Sequence, residues 1–241
     1  MTPPRIRPAA VAGLFYTDVP SDLASEVQGL LEVASAQRAA DEVSPKAIIA
    51  PHAGYAYSGS VAASAYACLS EVSHGITRVV LMGPAHRMWV AGLASVSVEA
   101  FETPWGAVPV DQSAIAEVID LPQVVINDAA HAQEHSLEVH LPFLRERLAH
   151  FSIVPLLVGG AEAHEVAEVL ERLWGGPETL IVISSDLSHH HDDETARSMD
   201  GKTTAAIESL ESDAISPEGA CGAGPIRGLL IQAQRHGLSV E

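Results

Sequence analysis

Lysine is almost missing from this chain of 241 residues: Lys46 and Lys202 are the only two. Thirteen Lys and Arg stand against 31 Asp and Glu, a formal net charge of −18. Phosphate backbones would be repelled, which argues against nucleic acid as a partner. The acidity reads as a solvated surface. Cysteine is equally scarce, and Cys68 and Cys221 cannot build the disulfide framework of a small secreted domain. No apolar run approaches the roughly 20 residues that cross a bilayer. The N-terminal "MTPPRIRPAAVAGLFYTD" lacks the sustained apolar core of a signal peptide. No membrane segment and a cytoplasmic location are therefore expected. Catalytic signatures are missing too. There is no G-x-S-x-G elbow, no phosphate-binding G-x-x-x-x-G-K-[ST] and no G-x-G-x-x-G after a strand. Cysteines paired at short spacing, as in a closed structural zinc site, are absent.

Apolar residues are plentiful, at 47%, and exclude a disordered chain. Five stretches read as strands: 46–50 (KAIIA), 78–83 (RVVLMG), 94–101 (ASVSVEAF), 152–159 (SIVPLLVG) and 179–185 (TLIVISS). Nearly unbroken apolar runs suit strands buried on both faces, whereas the alternation of 94–101 suits an edge or a hairpin. Helical patterns lie near 21–39, 58–72, 111–119, 137–149, 161–174, 194–211 and 225–236. The alternation predicts one α/β domain spanning 1–241, with a largely parallel or mixed sheet flanked by helices.

Three strands run into polar clusters at their carboxyl ends. "IIAPH" delivers His52, "VVLMGPAH" delivers His86, and "LIVISSDLSHHH" delivers Asp186 and His189. Ligands of open α/β sheets sit beyond those ends, so parallel neighbours would bring the clusters into one site. His190, His191 and Asp192 read as a solvated loop. "EHSLEVHLPFL" adds Glu134 and His135 ahead of a helix with Pro142 in its first turn. The helix dipole there would keep His135 neutral, able to bind metal or accept a proton. Glu134 and Glu138, one helical turn apart, otherwise read as a solvated face, and His140 as a packing or capping residue. Cys221 precedes a helix expected to start near Pro225, a position that favours the thiolate, which ligates metal or attacks. Cys68 reads as a small buried residue on a helix. Histidines 74, 131, 150, 164 and 236 fall in loops or on helical surfaces and receive no role. Two imidazoles with one anionic ligand suit a non-haem iron or related transition-metal site.

The motifs "APHAGYAYSG", "GPAHR", "EHSLEVHLPFL", "VPLLVG", "SSDLSHH" and "CGAGPI", in this order from about Gly13 to Leu230, resemble the Memo family. Its bacterial and archaeal members are called AmmeMemoRadiSam system protein B. The resemblance implies the fold of class III extradiol ring-cleaving dioxygenases. It implies iron or copper held by His52, His86 and Cys221, with Asp186 and His189 lining the same pocket as catalytic groups. Glu134 and His135 are assigned to the substrate. Ala223 and Gly224 stand where animal members carry larger polar residues, and many members continue past the last helix into a further strand. Two functions follow: a redox or oxygenase-like metalloenzyme, or a peptide-binding regulatory module on the same scaffold. A metal-dependent hydrolase ranks below both. The expected ligand is a small molecule or peptide, with a pathway link to a radical-SAM protein.

Overall fold

Strands and helices alternate as the apolar pattern dictates. The computed structural model describes residues 4–37, 45–69 and 75–241. The order is β1 (Ile6–Arg7), α1 (Pro20–Ser35), β2 (Ala47–Ala50), α2 (Tyr55–Ala67), β3 (Arg78–Pro84), β4 (Leu93–Ser95), β5 (Ala100–Thr103) and β6 (Gly106–Pro109). Then come α3 (Gln112–Ala116), β7 (Val124–Ile126), α4 (Asp128–Ala132), a 3-10 turn at Glu138–His140, α5 (Leu141–Arg147) and β8 (Ser152–Val158). The chain closes with α6 (Ala163–Leu173), β9 (Thr179–Ser184), α7 (Asp193–Glu208) and α8 (Ala223–His236). The expected helix ends at 38–39 and 70–72, and His74, lie outside the described residues.

Six strands form the main sheet in the order β2-β9-β3-β8-β4-β7. The first four run parallel, and β4 reverses against β8. Every residue of β9, and Val79 to Pro84 of β3, is buried, as unbroken apolar strands require when both faces are covered. Helices flank the sheet: α1, α2 and α5 pack together, as do α6 and α8. Gly228 lets α8 press on α6, since a Cβ there would meet Val166 at 2.4 Å. α6 is held at its start by a capping box between Glu162 and Glu165. Among the described residues no helix is long and apolar enough to cross a membrane.

The stretch 94–101 is not one strand. Its two ends belong to different sheets: β4 joins the main sheet, while β5 pairs with β1 and with β6, to which a hairpin joins it. Between them Ser97 turns away to bond Asp128, and Glu99 N donates to Arg5 O. The apolar alternation of Val96 and Val98 serves packing of this connector rather than a continuous ladder.

Candidate metal centre

In the main sheet β9 lies between β2 and β3, all parallel, so the three carboxyl ends open side by side. His52 follows β2, Ser184 to Asp186 close β9, and His86 follows β3. The loops are stitched to one another. Asp186 Oδ1 accepts from the backbone N–H of His52 (2.7 Å) and of Ala53 (3.2 Å). Cys221 N donates to Asp186 O at 3.2 Å. Gly222 permits this approach, because a Cβ there would lie 2.6 Å from Ser184 O.

Three imidazoles converge. One nitrogen from each of His52, His86 and His135 lies within 4.8 Å of the others. His86 and His135 stack with ring centroids 4.9 Å apart. Cys221 Sγ lies 3.3 Å from His52 Nε2, so the thiol faces the same space. Burial alone would raise that thiol, but His52 and His86 outweigh it and bring it down to about 6. His86 in turn is raised to about 9, first by its hydrogen bond with Cys221 and then by Glu134. Asp186 Oδ2 is 3.8 Å from His52 Nε2 and 3.5 Å from His189 Nε2, and the His189 ring is exposed at the rim. His190 and His191 are exposed, as a loop reading requires.

Glu134 and Glu138 are not a solvated face; both are buried. The Glu134 carboxylate accepts from the backbone N–H groups of His86, Arg87, His135 and Ser136, and its Oε1 lies 3.2 Å from His86 Nδ1. Burial opposes its charge, but His86 and these amides outweigh burial and bring it down to about 2. Glu138 accepts from Arg7 NH1, the amides of Ala10 and Val11, and the Tyr16 hydroxyl. Burial lowers His135 to about 4 and keeps it neutral; the 3-10 turn that runs into α5 begins three residues later. The His135 Nδ1 is buried 3.2 Å from Glu134 Oε1, out of line for a hydrogen bond. Phe15 packs on its ring at 4.8 Å.

Other expectations change. His131 is not on a surface: it is buried, with Nε2 2.8 Å from Ala94 O. Cys68 caps the end of α2 and is half-buried rather than buried. His140 packs as expected, bonded through Nδ1 to Tyr66. Ser184 escaped the sequence reading. It is buried beneath His52, and a serine closing the apolar run of β9 is the signal that marks it.

A family profile described as Memo-like protein matches residues 7–238. The chain belongs to the Memo family. A MEMO1 family protein of Aquifex aeolicus is 38% identical over 214 residues, covering 87% of this chain and 77% of that protein. A MEMO1 family protein of Methanosarcina barkeri is 32% identical over 244 residues, covering 96% and 88%. An uncharacterized Escherichia coli K12 protein of known crystal structure overlays with a TM-score of 0.43 at 18% identity, over 64% of this chain and 74% of its own. That likeness is too distant to carry a functional meaning.

Proposed function

We propose that this Memo-family chain is a cytoplasmic redox protein that holds one iron or copper ion through His52, His86 and Cys221. The observation that carries the reading is the thiol of Cys221 3.3 Å from His52 Nε2, beside a group of three imidazole nitrogens. The donor set fits the group: imidazoles suit iron and copper, and an easily ionised thiolate adds an anionic, soft donor. The surroundings support it as well. His52 and His86 each have Nδ1 held by a neighbour, His52 by Ser184 and His86 by Glu134, as metal-binding histidines commonly do. The ion would supply electron transfer or oxygen activation.

The chain's residues divide the remaining work. Glu134 orients His86. His135, kept neutral by burial, stands in the pocket wall beside a bound small molecule or peptide, with Phe15 as an apolar neighbour. Asp186 and His189 form a carboxylate–imidazole pair at the rim, placed to move a proton between ligand and solvent. With a net charge of −18, nucleic acid is a poor partner; the family resemblance adds, as part of this proposal, a pathway link to a radical-SAM protein. The test is metal analysis of protein purified without oxygen, followed by oxygen uptake. Stoichiometric iron or copper, lost in His52→Ala and His86→Ala, is expected. Unchanged metal content in both variants defeats the reading, and full metal loading without turnover on any ligand favours the regulatory module.

A further inference from the structure

The side of His52 away from the pocket ends in a two-step relay. Its Nδ1 lies 2.5 Å from Ser184 Oγ, and Ser184 Oγ lies 2.6 Å from Ser136 O. A hydroxyl carries one proton, and a carbonyl oxygen can only accept. The Ser184 proton therefore goes to Ser136 O, and the oxygen it leaves behind must accept from His52. Were the proton turned to His52 instead, two oxygens would face each other at 2.6 Å with nothing between them. Ser184 is fully buried, so water does not replace either partner. Its position is tight: a Cβ on Gly83 would come within 3.0 Å of the Ser184 Cβ. On the other side of the ring, Nε2 faces the Cys221 sulfur at 3.3 Å, a competing acceptor for the same proton.

We infer that Ser184 is a positioning residue that keeps a proton on His52 Nδ1 and so leaves the Nε2 lone pair to a metal ion. The inference rests on the metal reading for its purpose, but not for its geometry. Without the Ser184 oxygen, Nδ1 has nothing to donate to, and the proton moves to Nε2 against the sulfur. A ring protonated at Nε2 cannot ligate from that atom. The small change is a hydroxyl, yet it selects which nitrogen is available.

The experiment uses the full chain, metal-free, with 15N-labelled histidine and long-range proton–nitrogen spectra at alkaline pH. Wild-type His52 should be protonated at Nδ1. Ser184→Ala should move that proton to Nε2, with the His131 and His140 signals unchanged as evidence of an intact fold. Titration with iron(II) under argon should then show affinity weakened by about 10- to 100-fold in Ser184→Ala. A wild-type ring bare at Nδ1 overturns the inference, and this outcome needs no folded variant. So does a variant that keeps the Nδ1 proton, or one that switches tautomer with no change in iron(II) affinity. Wild-type protein that binds neither iron nor copper defeats the metal reading instead, and the wild-type spectrum then decides the tautomer alone.

Discussion

Glu134 and Glu138 stand four residues apart and are equally buried, yet they hold different parts of the molecule. Glu134 gathers backbone amides from the end of β3 and from its own turn, and touches the His86 ring. Glu138 gathers the N-terminal segment: Arg7, Ala10, Val11 and Tyr16. One carboxylate is built into the histidine cluster and the other into the scaffold behind it. A buried acid is therefore no mark of catalysis by itself; what it accepts from decides its role.

The largest expected effect falls on the scaffold. Glu138→Ala leaves the Arg7 guanidinium buried without its counter-charge, because Arg7 is itself nearly inaccessible. Breaking a buried pair in this way costs about 3–5 kcal/mol. The melting temperature should fall by about 10 °C. Calorimetry checks this, and a fall of under about 2 °C would mean that the pair contributes little.

The milder Gln variants sharpen the contrast. Glu134→Gln removes the charge beside His86 and should weaken iron or copper binding by about 10- to 100-fold. Glu138→Gln should cost stability but leave metal affinity within about threefold. Equal losses of metal in the two variants would erase the distinction between site and scaffold.

The sequence already carried much of this arrangement. Unbroken apolar runs located β2, β3, β8 and β9, and the polar clusters at three of their ends located the pocket. β1, β6 and β7 have two to four residues, too few for a period to show. The division of 94–101 between two sheets depends on Asp128 and Arg5, which lie far off in sequence. Glu138 looked like a surface acid because helical spacing does not reveal that Arg7, 131 residues earlier, supplies its partner. Ser184 was hidden for a related reason: a serine's role depends on which atoms flank its hydroxyl.

Acid should expose the scaffold side. Burial is the first cause that brings His131 down to about 4 and His140 to about 3, and His135 in the pocket also falls to about 4. Above the ordinary value of 6.5 these rings are neutral in the folded and unfolded chain alike, so they cost nothing. Between pH 6.5 and about 4 only the unfolded chain takes up the protons, so stability falls with pH. Each ring contributes about 1.4 kcal/mol per pH unit. His140→Gln, which keeps an acceptor for Tyr66, should flatten the acid limb of stability by one ring's share. Urea titrations at pH 7, 6 and 5 measure it, and an unchanged slope would remove His140 from the account.

The smallest effect concerns chemistry rather than stability, and it belongs to the site side alone. Cys221 is lowered to about 6 because His52 and His86 outweigh the burial that would raise it. In a Cys68→Ser background, alkylation of the metal-free protein by iodoacetamide should rise with pH through a midpoint near 6, since the thiolate is the nucleophile. His86→Gln removes one of the two contacts, and burial then counts for more. The midpoint should move up by about one unit or more. Glu138→Gln should leave it in place, because none of the Glu138 partners touches the sulfur. Saturating iron(II) should slow the reaction in wild type by occupying the same lone pairs. If iron(II) leaves the alkylation rate unchanged while still binding, Cys221 is not a ligand. The donor set then becomes the three imidazoles of His52, His86 and His135, with the thiolate as a free neighbour rather than part of the metal centre.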